Sequence, residues 1–452
     1  MAKIEVGSQF ILDIKRIGIN GEGIGFYNNL AIFVKDAIPG EGVNVEITEV
    51  LPKMAYAKVV EYKHTSKARV EAKCPYYDTC GACQTMHIDY EQMCKFKRDL
   101  VIESLNRYTK INTRSFEIKP TIGMENPYGY RNKNAVSVFK NDGKTSIAMI
   151  QDGSDKWVKV DSCMVLHPKL NEVNKQILEA IDELQIPLYN VKHHRGVIRY
   201  LVTRISTLTN EVQVCFICVE KTSRIKELAQ RVLKIDGVTS VYENFNEKRN
   251  GPMFGSVTNH IAGKEFIVES IGKVKYNLTP TTFFQLNPTQ TKVMYDVVKK
   301  ACKLSFKERV LDAYCGVGTI GLYLADLAKE VVGIEYNKAS VVAATENARL
   351  NKIKNAKFYQ GDAKELIPQM IAEEPFDVIV LDPPRTGLQP ELCEALNEYK
   401  INKIIYVSCN PATLAKDLEI LKEVYNINSI QPLDMFPQTS AVECVCTLSL
   451  KK

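Results

Sequence analysis

Short apolar runs that alternate with polar positions occupy the N-terminal part of the chain. Four of them, residues 9–14, 31–34, 44–50 and 55–61, alternate as half-buried strands do. Glycine and proline separate these runs, at Gly21, Gly23, Gly25, Pro39, Gly40 and Gly42. The pattern predicts a small OB-like β-barrel over residues 1–63, which serves either to bind RNA or as a structural cap.

Residues 64–280 mix strand-like and helical patterns, which predicts an α+β central domain. The segment 90–97 has the spacing of an amphipathic helix. The segment 212–219 is too apolar for a strand with one exposed face, so it is predicted to be buried on both faces. Cys215 and Cys218 lie in that run and are therefore predicted to be core residues.

From residue 281 to 452 the chain alternates strands with helices, as a doubly wound, Rossmann-like α/β domain does. The predicted strands are 309–312, 331–335, 357–360, 376–381 and 404–408, with a helix over 320–328 and a final strand near 441–446. In such sheets ligands bind at the carboxyl ends of the strands. The sequence as a whole thus predicts a multidomain protein of three parts.

Composition places the chain among cytoplasmic proteins that do not span a membrane. Its 452 residues are 45% hydrophobic and 25% charged, and no run approaches the roughly 20 apolar residues of a membrane span. Lys and Arg outnumber Asp and Glu by 24 to 18 in residues 111–280, whereas the counts are nearly equal on either side. This basic excess predicts nucleic-acid contact in the middle of the chain, and the candidate phosphate ligands are residues 130–133, Arg195, Arg199 and Arg204.

The loop after the first predicted strand of the α/β domain carries a cofactor-binding pattern. Residues 312–319 read Asp-Ala-Tyr-Cys-Gly-Val-Gly-Thr, and Glu335 follows Gly316 by 19 residues at the end of the next strand. An acidic residue at that distance meets ribose hydroxyls. The third glycine of an NAD site is missing, and Gly361-Asp362 completes the pattern of S-adenosylmethionine-dependent methyltransferases, in which Asp362 would meet the adenine and residues 312–319 the methionine end.

A thiol and a carboxylate suggest covalent chemistry on a base. Cys409 ends the fifth strand, after the motif Asp382-Pro383-Pro384-Arg385, and Glu443 lies on the last strand. Carbon 5 of a pyrimidine is a poor nucleophile, but addition of a thiolate to carbon 6 makes carbon 5 enolate-like. A base must then remove the carbon-5 proton, and Glu443 is the candidate.

A cluster of cysteines predicts a metal site. Cys74, Cys80 and Cys83 lie within ten residues, and the fourth ligand is Cys94 or, preferably, Cys163, which follows a strand-like segment. Four thiolates suit zinc and an iron–sulfur cluster equally well, so spacing leaves both open.

With these motifs the chain resembles the RNA uracil-5-methyltransferases, most of all the bacterial 23S rRNA enzymes of Gram-positive type. The resemblance rests on residues 283–288 (Phe-Phe-Gln-Leu-Asn-Pro), 312–319, 382–387, 408–411 and Glu443. It implies a TRAM barrel, a central RNA-binding domain and a methyltransferase domain, in which Gln285, Tyr314, Gly316, Thr319, Glu335 and Asp382 bind S-adenosylmethionine. It also implies a [4Fe-4S] cluster on Cys74, Cys80, Cys83 and Cys163, with Cys409 as nucleophile and Glu443 as base. Tyr314 and Thr319 depart from the phenylalanine and asparagine of other members.

The expected activity is therefore methylation of carbon 5 of an unpaired or flipped uridine in 23S rRNA by a monomeric enzyme. Phe283 and Phe284 are candidate surfaces for the unstacked base. The alternatives are a tRNA uracil-5-methyltransferase and an inert iron–sulfur RNA-binding factor. Cytosine-5 methylation is disfavoured because no cysteine lies in the motif at 382–385.

Overall fold

The computed structural model describes residues 4–452, and its N-terminal part is a closed five-stranded barrel. The strands are β1 (Gln9–Ile17), β2 (Gly23–Tyr27), β3 (Leu30–Val34), β4 (Gly42–Leu51) and β5 (Met54–His64), in the order β1-β2-β3-β5-β4. The predicted barrel is confirmed, but the glycine-rich segment predicted as a turn is the strand β2. A Cβ at Gly25 would lie 2.6 Å from Leu12 Cγ, so the small barrel closes only because glycine occupies this strand.

A long helix and a short strand follow the cysteine-rich segment. The helix α1 (Tyr90–Tyr108) confirms the amphipathic pattern, and Asp89 caps it by accepting a hydrogen bond from Gln92 N at 3.0 Å. Strand β6 comprises Glu117–Ile118.

A seven-stranded sheet forms the centre of the chain, in the order β13-β12-β11-β10-β7-β8-β9. Strand β11 is buried at every residue, including Cys215 and Cys218, as predicted, because its alternate residues pack into two different hydrophobic clusters, one on each face of the sheet. The elements of this region are β7 (Lys133–Asn141), β8 (Lys144–Ile150), β9 (Trp157–Lys159), α2 (Pro168–Glu183), β10 (Ile198–Ile205), β11 (Val212–Cys218), α3 (Arg224–Val232), β12 (Val238–Phe245), β13 (Val257–Gly263) and the hairpin of β14 (Ile267–Ile271) and β15 (Val274–Leu278).

The C-terminal part is an eight-stranded sheet flanked by helices. Its five predicted parallel strands are confirmed to within two residues at each end, whereas the final strand, predicted near 441–446, runs on to Leu450. Its elements are α4 (Pro288–Cys302), β16 (Arg309–Ala313), α5 (Thr319–Leu324), β17 (Glu330–Glu335), α6 (Lys338–Leu350), β18 (Ala356–Gln360), α7 (Ala363–Glu373), β19 (Val378–Leu381), α8 (Pro390–Tyr399), β20 (Lys403–Ser408), α9 (Pro411–Leu421), β21 (Tyr425–Leu433) and β22 (Glu443–Leu450). Helix α5 is shorter than predicted.

The strand order of this sheet is β18-β17-β16-β19-β20-β22-β21-β6. The first five strands are parallel, and β22 is antiparallel to both of its neighbours. The order reverses between β16 and β19, which is where an open α/β sheet binds its ligand. Strand β6 pairs with β21, so the chain before the central sheet already contributes to this one. The boundary at residue 280 stays a prediction.

Across residues 4–452, none of the helices combines the length and the apolar character that crossing a bilayer requires.

Candidate active site

A cavity of about 1000 Å³ opens at the carboxyl edge of the parallel strands. Its walls contain the predicted catalytic, cofactor-binding and metal-binding residues with one exception. The residues brought together are Gln285, Tyr314, Gly316, Thr319, Glu335, Asp382, Cys409 and Glu443, together with Cys74, Cys80, Cys83 and Cys163. The exception is Asp362, which caps α7 by accepting a hydrogen bond from Lys364 N at 3.0 Å, so its contact with adenine stays a prediction.

The glycine loop after β16 has a backbone that few residue types adopt. Tyr314, Gly316 and Gly318 all have positive φ, and a Cβ at Gly318 would lie 2.9 Å from Phe358 Cζ. Gly316 N donates a hydrogen bond to Glu335 Oε2 at 3.1 Å, so the acidic residue at the end of β17 also orients the loop. Space remains open around Gly316, which leaves a cradle for a ligand beside this carboxylate.

Asp312, the last polar residue of β16, is fully buried beneath the loop. One carboxylate oxygen accepts a hydrogen bond from Gly321 N at 2.7 Å, and the other has no partner among the described residues. Burial, together with the charges of Asp382 and Glu335, raises the pKa of Asp312 to about 8. The loop is therefore built on a carboxyl group that favours its protonated form.

Replacing Asp312 by asparagine should stabilise the cofactor-free protein at alkaline pH. The asparagine oxygen can still accept from Gly321 N, but no charge is buried. Because the folded-state pKa of Asp312 is raised, its contribution to stability is complete below pH 4 and is lost as the pH rises towards 8. We expect the free energy of unfolding of Asp312→Asn to exceed that of the unsubstituted protein by about 1–3 kcal/mol at pH 8, with little difference at pH 4, in denaturant titrations.

Asp377→Asn is the matched control, because Asp377 is exposed and also accepts a backbone hydrogen bond, from Arg309 N at 2.8 Å. It should show no such pH-dependent gain. Equal stability of Asp312→Asn and the unsubstituted protein across this pH range would contradict the account.

The Asp-Pro-Pro-Arg motif after β19 is joined to the segment that follows Cys409. Arg385 O accepts hydrogen bonds from Asn410 Nδ2 at 3.2 Å and from Thr413 Oγ1 at 3.3 Å. Asn410 also caps α9, with Pro411 in its first turn. Sequence reasoning missed this role of Asn410 and Thr413, although Asn-Pro after a strand is a recognisable helix start. Burial raises the pKa of Asp382, at the start of the motif, to about 7.

Strand pairing brings the nucleophile candidate and the base candidate to the same edge of the sheet. Ser408 and Cys444 are the last cross-strand pair of β20 and β22, so Cys409 and Glu443 follow at adjacent positions. Burial, Glu443 and Asp382 raise the pKa of Cys409 to about 11, and Arg385 opposes them. Burial and Asp382 likewise raise the pKa of Glu443 to about 8. The resting site therefore favours a thiol over a thiolate, and attack must be coupled to loss of the proton.

The four predicted metal ligands lie on one wall of the cavity. Burial and the charges of Cys163, Cys80 and Cys74 raise the pKa of Cys83 to about 12. The cysteine segment is attached to the end of β8, because Gly81 N donates a hydrogen bond to Ile150 O at 3.1 Å. Cys94 is not on this wall. Its side chain packs against Gly123, where a Cβ atom would lie only 2.9 Å from Cys94 Sγ. Four neighbouring thiols are a donor set that suits a cluster, but within residues 4–452 no three His, Cys, Asp or Glu side chains are spaced to bind a metal ion.

The structure divides the predicted phosphate ligands. Arg131 and Lys133 lie on the cavity wall and Arg195 is exposed. Arg204 is 2% exposed and donates to Thr279 O at 3.2 Å and Thr282 O at 2.8 Å, so its prediction as a phosphate ligand is wrong. Arg199 donates to two loop carbonyls, those of Lys248 and Arg249.

The two aromatic residues before Gln285 also differ. Phe283 is 73% exposed at the cavity, whereas Phe284 is buried and packs against Tyr276 with ring centroids 5.5 Å apart. Only Phe283 therefore has a face free for an unstacked base, and the prediction for Phe284 is wrong.

Comparison with known proteins agrees with this geometry. Residues 90–451 match the tRNA (uracil-5-)-methyltransferase family, and residues 3–60 match the TRAM domain. An uncharacterized RNA methyltransferase of Bacillus anthracis is 40% identical over 454 residues, covering 100% of this chain and 98% of that protein. One from Halalkalibacterium halodurans is 41% identical over 451 residues, covering 99% and 97%.

Among solved structures, the Pyrococcus abyssi tRNA (uracil-54, C5)-methyltransferase in complex with S-adenosyl-L-homocysteine is similar over nearly the whole chain. Its TM-score is 0.78 with 29% sequence identity, covering 97% of this chain and 100% of that one.

Proposed function

Because the chain belongs to the RNA uracil-5-methyltransferase family and is an S-adenosylmethionine-dependent RNA methyltransferase, we propose that it methylates carbon 5 of specific uridines in 23S rRNA. The observation that carries the chemical step is the adjacency of Cys409 and Glu443 at the cavity edge, beside Asp382 and the glycine loop. The proposal includes action as a monomer in the cytoplasm.

The cofactor site of the proposal lies around the glycine loop. Gly316 and Glu335 provide the open cradle and its carboxylate, and Gln285, Tyr314, Thr319 and Asp382 complete the set on the cavity wall. Thr319 is oriented by Tyr295, whose hydroxyl donates to Thr319 Oγ1 at 2.8 Å. S-adenosylmethionine supplies an electrophilic methyl group there.

Cys409 and Glu443 carry the steps that the chain itself performs. The thiol loses its proton to solvent water as Sγ forms a bond to uracil carbon 6, and the electron pair of the 5,6 double bond moves towards carbon 5. After carbon 5 is methylated, Glu443 accepts its proton. The electron pair left behind restores the double bond and expels Cys409 as the leaving group.

The uridine must leave its stack to reach this cavity. A thiol at the cavity edge cannot approach carbon 6 of a stacked base, so the target is unpaired or flipped out. Phe283, with its exposed ring beside the cofactor residue Gln285, provides the stacking surface.

The substrate assignment is tested by mapping 5-methyluridine in both ribosomal and transfer RNA of a strain that lacks the gene. We expect loss of the modification from 23S rRNA and its return when the gene is restored. Restoration with a Cys409→Ala gene is the matched control and should leave the uridine unmethylated. Loss confined to tRNA would contradict the assignment.

A tRNA uridine is the second candidate substrate, and one observation favours it. The Pyrococcus abyssi tRNA enzyme superposes on 97% of this chain, so the overall architecture is compatible with tRNA. Methylation of purified unmodified tRNA and of 23S rRNA fragments by the same preparation separates the two, since only the true substrate should be methylated to near stoichiometry.

A [4Fe-4S] cluster on Cys74, Cys80, Cys83 and Cys163 is the second part of the proposal. It is supported by the four thiols on one cavity wall and by the hydrogen bonds that fix Cys163, whose N–H donates to Asn171 Oδ1 at 2.9 Å. Such a cluster would join the chain near residue 80 to the loop after β9.

Anaerobic reconstitution with iron and sulfide should give about four iron atoms and four sulfides per chain. Cys83→Ser should reduce that content and lower the unfolding temperature, because the two segments are no longer joined. Cys94→Ser is the control and should keep the full content. Zinc binding without sulfide would contradict this part of the proposal.

A further inference from the structure

The loop between β21 and β22, residues 434–442, leads directly into Glu443, and we call it the base loop. Leu433 and Glu443 are a cross-strand pair at the end of the hairpin, so Asp434 immediately follows the residue that faces the base. A movement of the base loop therefore changes the position of Glu443 relative to Cys409.

Segments distant in sequence converge on the base loop. The hydroxyl of Ser440 donates to Ile19 O of the barrel at 2.7 Å. Four successive carbonyls of the loop, at residues 435–438, accept hydrogen bonds from other parts of the chain. Met435 O accepts from Asn287 Nδ2 at 2.9 Å and Phe436 O from Lys97 Nζ at 3.5 Å. Pro437 O accepts from Tyr130 Oη at 2.9 Å, and Gln438 O from Gln84 N and Thr85 N at 3.1 and 3.2 Å. The loop is thus a junction of the barrel, the cysteine segment, α1 and the chain before the central sheet.

Its most buried contact is an ion pair. Lys97 Nζ on α1 lies 2.6 Å from Asp434 Oδ1, and both side chains are 0% exposed. A buried ion pair adds little net stability compared with apolar side chains of the same shape, because both charges lose their hydration. What it does provide is a fixed charge at a defined place.

We propose that Lys97 and Asp434 are positioning residues for the general base: their buried ion pair fixes the base loop and, through it, the place and the electrostatic surroundings of Glu443 relative to Cys409. This inference rests on the proposed function, since it assumes that Glu443 removes the carbon-5 proton.

The charges around Glu443 support this role for Lys97. Burial and Asp382 raise the pKa of Glu443, whereas Arg385 and Lys97 lower it. Arg385 is exposed, so solvent and salt screen its effect on the pKa of Glu443, whereas Lys97 is buried and its effect is not screened in this way. The other titratable groups that face Glu443 are Cys409 after β20, Cys444 on β22 and Tyr295 on α4.

The test removes the charges while retaining the packing. In Lys97→Met/Asp434→Leu, apolar side chains replace the ion pair, so the unfolding temperature should stay near that of the unsubstituted enzyme. Because Glu443 acts after methyl transfer, the readout is the single-turnover rate at which methylated RNA is released from the enzyme. The acidic limb of that rate should move up by about one pH unit, so the rate on this limb should be about tenfold lower. The KM for RNA and the covalent adduct with 5-fluorouridine RNA should be unchanged.

A second variant shifts the limb in the opposite direction. Asp434→Asn keeps a hydrogen-bond acceptor for Lys97 but leaves its positive charge uncompensated, so the limb should move to lower pH. Arg309→Met/Glu330→Leu removes a partly buried ion pair (2.7 Å) at the amino ends of β16 and β17 and should leave the limb in place.

An unchanged limb in either folded variant of the Lys97–Asp434 pair overturns the inference. If the double variant does not fold, the direction of the shift in Asp434→Asn decides it. Absence of the adduct from the unsubstituted enzyme would instead contradict the proposed function, so the two failures are distinguishable.

Discussion

Replacing Cys409 by alanine should abolish methyl transfer and the covalent complex with RNA. Among residues 4–452 no other thiol lies at the edge where β20 meets Glu443, since Cys315 is buried in the glycine loop and Cys444 in the sheet. Without a nucleophile at carbon 6, carbon 5 stays unreactive. We expect a loss on the order of 10⁴-fold or more in the methylation rate, measured with methyl-labelled cofactor.

The adduct gives a direct readout of the same step. 5-Fluorouridine RNA has no carbon-5 proton to lose, so the addition product should accumulate as a band that survives denaturing electrophoresis. Cys393→Ala, in the core of α8 and away from the cavity, is the control and should form the adduct. An adduct formed by Cys409→Ala would assign the chemistry to another residue, and no adduct with any variant would favour an inert RNA-binding protein.

Replacing Glu443 by glutamine should stop the reaction after methyl transfer. Glutamine keeps the shape of the side chain but cannot accept the carbon-5 proton, so turnover should fall by about 10²- to 10⁴-fold. Cys409 can still add, and therefore the adduct should accumulate on ordinary uridine RNA. Because burial already raises the pKa of Glu443 to about 8, a neutral side chain should not destabilise the fold at pH 7.

The raised pKa of Glu443 also predicts how the rate of the base step depends on pH. The base acts only when deprotonated, and a pKa raised to about 8 means that the rate of release of methylated RNA should increase with pH up to that value. In Glu443→Gln this limb should disappear. Glu398→Gln, which removes an exposed carboxylate outside the cavity, should keep both the rate and the limb. Full turnover by Glu443→Gln would exclude Glu443 as the base.

Motifs that act through their own backbone were readable from sequence. The glycine loop at 312–319 has positive φ at Tyr314, Gly316 and Gly318, and glycine is the residue type that adopts this conformation most readily, so residue type and spacing predict local geometry. The helix start at Asn410-Pro411 is equally recognisable in the sequence, although it was not predicted. Strand β2 was missed for a tertiary reason. Its glycines resemble a turn, and only the crowding inside a five-stranded barrel explains why a strand contains them.

Arg204 and Phe284 were predicted to contact RNA, and the structure shows why neither does. Each belongs to a residue type that binds RNA in many proteins, and each is among the residues that line the cavity. Both are buried, Arg204 against the carbonyls of Thr279 and Thr282 and Phe284 against Tyr276. Residue type predicts what a side chain can bind, whereas burial decides whether it is available.

The sequence by itself determined the barrel, the parallel sheet with its cofactor loop, and the residues whose chemistry suits a nucleophile, a base and a metal ligand. These follow from periodicity and from the bonding capacity of each side chain, which are local properties. Only the tertiary structure decided that Cys409 and Glu443 are neighbours, that both favour their protonated forms, and that Lys97 of α1 pairs with Asp434 of the base loop. Proximity, loss of hydration and Coulomb interaction depend on groups far apart in the chain, so no local pattern contains them.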